Sequence, residues 1–167
     1  MSASLIGALI VVLAPYSMAQ THSTEVCTFD ADATLQLDVN GADELRDPAL
    51  ITVFGSGEYV ARKSFDSTDI LSGTQSADAA MDLLQQAQTA ILNAQFLADP
   101  APAFGQFADT RTSHFLLIAG DCRQEFSIDG LSFKARDQAS LVDLRRIEIT
   151  LLELLARVQN PVAPAQN

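Results

Sequence analysis

Through the first half of the chain, apolar residues recur at every second position in short runs. Leu35, Leu37 and Val39 alternate with Thr34, Gln36 and Asp38 up to the turn pair Asn40-Gly41, predicting a half-buried strand from Thr34 to Val39. Val26 to Phe29 is a shorter run of the same kind. Leu50 to Phe54 and Tyr59 to Phe65 flank Gly55-Ser56-Gly57-Glu58, predicting an antiparallel hairpin with one wet face. The period then changes. Ala80, Leu84, Ala87 and Ile91 fall at three- and four-residue spacing behind Ser76, predicting a capped helix that runs to about Leu97. Asp99 to Ser113 has two prolines, a glycine and no period, the mark of a loop. Phe115 to Ala119 and Gln124 to Ile128 form a second hairpin around Gly120-Asp121-Cys122-Arg123. Leu144, Ile147, Leu151, Leu155 and Val158 stripe a last helix that starts near Ser140 and stops before Pro161.

Strands, helix, strands, helix, with two hairpins that no helix interrupts, predicts the α+β class. The expected architecture is an antiparallel sheet of about four to five strands with two helices packed on one face.

The N-terminus follows a different rule. Met1 to Ala19 has no charged residue, and an apolar run from Leu5 to Leu13 precedes Pro15 and Ser17-Met18-Ala19. At about 1.5 Å per residue that run covers roughly half of the ~30 Å hydrocarbon layer, so it reads as a signal peptide cleaved after Ala19 and not as a membrane span. The expected division is a leader over 1–19, one domain over 20–160 and a disordered tail over 161–167. An uncleaved leader would instead hold the chain as an accessory subunit of a cell-envelope complex.

Composition narrows the partners. The 167 residues carry 10 Lys+Arg against 21 Asp+Glu, a net charge of −11. That balance repels phosphate backbones and anionic lipid, so nucleic acid and, once the leader is removed, membrane are not expected as partners. Export into an oxidising compartment turns the two cysteines, Cys27 and Cys122, into a candidate disulfide. Closing a loop of about 95 residues would stabilise the fold by roughly 4 to 5 kcal/mol. The chain has no CxxC, Cys/His cluster or HExxH, and neither a metal nor another cofactor is expected.

One motif points to catalysis. Asp30-Ala31-Asp32-Ala33-Thr34 matches the DxDxT pattern of haloacid-dehalogenase-type phosphatases. There the first carboxylate is the nucleophile and the second the acid/base, both facing a Mg²⁺-bound phosphate. Asp121, followed by Glu125, resembles that family's acidic metal motif, and Thr52 or Ser56 its hydroxyl motif. Three features oppose the reading. The family needs a parallel sheet with a helix after each strand; Lys is absent between Lys63 and Lys134; and the 148 residues that follow the leader are short for that fold. Phosphatase is therefore the alternative, and the chain is expected not to be an enzyme. His114 reads as a strand-surface residue, with Ser113 beside it on the opposite face, and His22 lies near the mature N-terminus. Asp38, Asn40, Asp43 and Glu44 have oxygen ligands at loop spacing but lack the flanking helices of a Ca²⁺ loop, and read as a solvated turn.

From about Leu50 to Val158 the layout resembles small secreted bacterial domains of uncharacterised type and the related emfourin-type inhibitors of thermolysin-like metalloproteases. The resemblance rests on Ile51-Thr-Val-Phe-Gly-Ser-Gly-Glu-Tyr-Val60, on Ser72-Gly-Thr-Gln-Ser76 leading into the helix Leu83 to Phe96, on the second hairpin and on the Leu-rich last helix. It implies inhibition by binding. With no catalytic set required, the expected function is an exported non-catalytic binding domain. Its partner would be another exported protein or a small ligand, with Phe104 and Phe107 of the long loop as candidate contact residues.

Overall fold

The computed structural model describes residues 26–40, 45–97 and 111–161. The leader, His22, Asp43, Glu44, Phe104, Phe107 and residues 162–167 of the tail lie outside the described residues. Six strands, β1 (Thr34–Asn40), β2 (Ile51–Phe54), β3 (Glu58–Arg62), β4 (Ile70–Thr74), β5 (Thr112–Ala119) and β6 (Cys122–Asp129), form one sheet in the order β4-β3-β2-β1-β5-β6. Every pairing is antiparallel. Helix α1 (Ala77–Leu97) joins β4 to β5, and α2 (Leu131–Asp137), a single 3₁₀ turn over Ala139–Leu141 and α3 (Val142–Gln159) follow β6.

The alternation of β1 sets the layers. Leu35 stands opposite Val53 and Leu117, and Leu37 opposite Ile51 and Phe115. All six are fully buried, and complete burial of one such side chain is worth about 1.5 to 3 kcal/mol. Ser113, two residues before Phe115 and so on the same face, donates its hydroxyl to Glu148 Oε1 of α3, which identifies this as the helix-covered face. Leu84 and Ile91 of α1 and Leu144 and Leu151 of α3 close the core. Ser76 caps α1 as the spacing predicts, accepting the Ala79 N–H at 3.2 Å.

The structure extends the expected architecture to six strands and three helices. β4 (Ile-Leu-Ser-Gly-Thr) is an edge strand with Ile70 exposed and no buried residue. Its sequence therefore had no apolar period to show. The seven residues of α2 bury only Leu131, too short a stripe for a helical period. Val26 to Phe29 is not a strand; it runs as irregular backbone pinned by the Cys27–Cys122 disulfide. β3 ends at Arg62 and does not reach Phe65. Ser140 lies inside the 3₁₀ turn and makes no cap for α3, while Asp143 pairs with Arg146 at 2.8 Å.

The strands run between two contrasting ends. Thr34, Phe54, Glu58, Thr74, Ala119 and Cys122 lie at one, beside the disulfide; Asn40, Ile51, Arg62, Ile70, Thr112 and Asp129 lie at the other. Seven residues of β1 at about 3.3 Å each put roughly 20 Å between them.

Candidate functional site

Because Leu37 and Val39 face the helices, Asp38 between them must face the other side of the sheet. It is nonetheless completely buried. A carboxylate removed from water needs every lone pair occupied, and Asp38 has five donors. Oδ1 accepts from Val39 N at 3.0 Å and Arg46 Nη2 at 2.9 Å. Oδ2 accepts from Arg46 Nε at 2.8 Å, and from Arg46 N and Asn40 Nδ2 at 3.0 Å each. A second guanidinium, that of Arg62, lies 3.7 Å away.

Burial alone would raise the Asp38 carboxyl's pKa. The side-chain hydrogen bonds of Arg46, its backbone N–H, its charge and the Asn40 amide together outweigh burial and hold the pKa below the ordinary 3.8. The Asp38 hydrogen bond raises the pKa of Arg46 above its usual value. Burial lowers that of Arg62, as does the like charge of Arg46.

The arginines carry this order outward. Arg62 Nε donates to the Pro48 carbonyl at 2.7 Å, and Arg62 Nη1 and Arg46 Nη1 both donate to the Phe65 carbonyl, at 3.1 and 3.0 Å. Phe65 is thereby fixed in the β3–β4 connection, which Lys63 N to Asp69 O closes at 2.9 Å. Its ring lies beneath the Arg111 guanidinium, 5.3 Å from ring centroid to Cζ, a cation–π contact. Together Val39, Asn40, Arg46, Phe65, Asp66 and Arg111 line an open pocket of about 420 Å³ at this end of the sheet.

On the same face His114 stands opposite Asp38 in register and Ser127 opposite His114. His114 is 1% exposed, and its Nδ1 is 2.8 Å from Ser127 Oγ. The strand-surface expectation for His114 is corrected: the residue is in the interior, and its ring is hydrogen-bonded. The solvated-turn expectation for Asp38 is corrected likewise, since arginines and not water occupy its carboxylate.

The DxDxT residues lie at the other end. Asp30 and Asp32 are exposed in the turn before β1, and Asp30 Oδ1 accepts from Asp32 N at 3.1 Å and Ala33 N at 3.0 Å. This is an Asx turn, a use of the carboxylate on its own backbone. Ser56 sits in the adjacent β2–β3 turn, its N–H donating to Ala31 O at 2.9 Å, and Asp121 is in the two-residue turn between β5 and β6. Thr52 is in register with Gln36, not with the turn, and Glu125 pairs with Arg123 at 3.0 Å. Asp30, Asp32, Ser56 and Asp121 thus share one end of an antiparallel sheet, whereas the phosphatase reading requires the C-terminal ends of parallel strands. Among the described residues no three His, Cys, Asp or Glu side chains converge as a metal site, and no helix is long and apolar enough to cross a membrane.

Comparison with family models, with curated proteins and with solved structures finds no match for this chain. The arginine pocket is absent from the sequence reading because Arg46, Arg62, Phe65 and Arg111 are scattered along the chain. One signal was available: a carboxylate in the middle of a strand otherwise set for burial, in a chain whose cations are eight Arg to two Lys. Arginine is the cation suited to bidentate, partly buried carboxylate pairing.

Proposed function

We propose that this chain is an exported single-domain protein that acts by binding, without a chemical step, and that its binding end is the pocket between Arg46, Phe65 and Arg111. The uncharged apolar leader supports export, and the Cys27–Cys122 bridge is the kind of bond that an oxidising compartment maintains. One observation carries the choice of site. A chain of net charge −11 presents, at a concavity, one arginine held in place by a buried carboxylate and a second lying over an aromatic ring. Preorganised polar groups around a part-apolar hollow are the usual make-up of a binding site.

The test is site-specific photo-crosslinking in the native host, with a benzophenone amino acid at position 66 on the pocket rim or at position 85 in the groove between α1 and α3. The expected result is a mature periplasmic or secreted protein beginning at Gln20 that forms a discrete adduct from position 66 and none from 85. Recovery of unprocessed protein in the cytosol, or an adduct from position 85 alone, would overturn the reading.

A further inference from the structure

Resting on the binding reading, we infer that the pocket takes a carboxylate on a flat or apolar carrier, with Arg111 as the residue that pairs it. The charge balance at the site points there. Asp38 is shared by Arg46 and Arg62, and Asp66 at the rim acts on Arg46. Of the two guanidinium groups that line the pocket, that of Arg46 is therefore already paired. The other is that of Arg111, which is exposed, makes no ion pair among the described residues and lies over the Phe65 ring.

That contact decides the geometry of recognition. The ring holds the guanidinium at the pocket wall, with Cζ 5.3 Å from the ring centroid. The N–H edge of a guanidinium matches the two oxygens of a carboxylate. Two arginines hold the Phe65 carbonyl, so little ordering of this backbone remains to be done when the ligand arrives. Phe65 gives the carrier an apolar wall.

Asp66 sets the ligand's charge. One unpaired guanidinium beside a rim carboxylate accommodates a single negative charge and repels a second, which favours a carboxylate over a phosphate dianion. Another concavity among the described residues, the groove between α1 and α3, has its arginine already paired, Arg146 with Asp143 at 2.8 Å. The Ser127–His114 pair is also set aside, since His114 is 1% exposed and out of a ligand's reach.

The test is an NMR titration of the mature, disulfide-bonded protein, reading the backbone amides of residues 39, 40, 46, 65 and 66 and the Arg111 side-chain Nε–H. The probes are benzoate, its neutral isostere benzamide, inorganic phosphate, and a short peptide ending in Phe with a free or an amidated C-terminus. Saturable shifts are expected with benzoate and the free-acid peptide, at least tenfold weaker with benzamide, phosphate and the amidated peptide. Tighter binding of the peptide assigns the carboxylate to a chain terminus, and tighter binding of benzoate assigns it to a small acid. Arg111→Gln should weaken both carboxylates at least tenfold, with Arg111→Lys in between and the thermal midpoint unchanged in each. Equal binding of benzamide, tighter binding of phosphate, or unaltered affinity in Arg111→Gln would overturn the inference. Should the carboxylates fail while position 66 still crosslinks, only the ligand class is overturned and the binding reading stands.

Discussion

The two ends of the sheet use aspartate in opposite ways. At the disulfide end Asp30 is exposed and its carboxylate holds the backbone of its own turn. At the far end Asp38 is buried, and its carboxylate holds two arginines that in turn hold the backbone of a loop beside a pocket. The comparison teaches that a motif legible as a string of residues was serving local backbone geometry. The arrangement with chemical reach was assembled from residues 8 and 24 positions further along from Asp38.

Four substitutions press on this contrast, from the largest expected effect to the smallest. Replacing both Cys27 and Cys122 by Ala releases a loop of 95 residues and should cost about 4 kcal/mol in the chain-entropy picture. Urea unfolding measures it. Because the loss acts through the unfolded chain, shifts of the pocket amides in the folded variant should be small.

Asp38→Asn leaves Arg46 and the buried Arg62 without their counter-charge and should cost about 3 kcal/mol. This variant also carries a pH signature. Asp38 titrates below 3.8 in the folded protein, so its contribution to stability is complete above about pH 4 and is lost as pH falls through the lower folded value. Unfolding curves at a series of acid pH values should therefore fall less steeply below pH 4 for Asp38→Asn than for the wild type. Identical slopes would show that Asp38 does not organise this end.

Gly55→Ala probes the disulfide end without touching charge. An added Cβ would sit 2.0 Å from the Asp30 carbonyl oxygen, so the β2–β3 turn and the Asp30 turn must move apart. A loss of about 2 kcal/mol is expected by chemical denaturation. Asp30→Ala removes only an exposed turn acceptor and should cost under about 1 kcal/mol. A loss from Asp30→Ala as large as that from Asp38→Asn would erase the distinction between the two carboxylates.

Much of the scaffold was legible because one face of the sheet is apolar. The period-two runs at Leu35 to Val39 and Phe115 to Ala119 and the helical stripes at Leu84 and Leu151 state their own burial. The bridge followed from two cysteines and the expectation of export. β4 and α2 were not legible because they bury little, and pattern reading detects burial. The pocket was not legible for a different reason. In sequence Asp38 is one more polar residue in an alternating strand, and only the packing over the second face shows that no water reaches it.

The central claim is that ligand chemistry belongs to the arginine end and not to the DxDxT end. The most direct test maps backbone amide shifts over the whole mature protein during two titrations, one with benzoate and one with Mg²⁺ plus inorganic phosphate. The expected outcome is saturable shifts on benzoate at residues 39, 40, 46, 65, 66 and 111, with residues 30–33, 55–57 and 120–122 unmoved in both. Saturable shifts at 30–33 and 120–122 on Mg²⁺ and phosphate, with the arginine end silent, would contradict it.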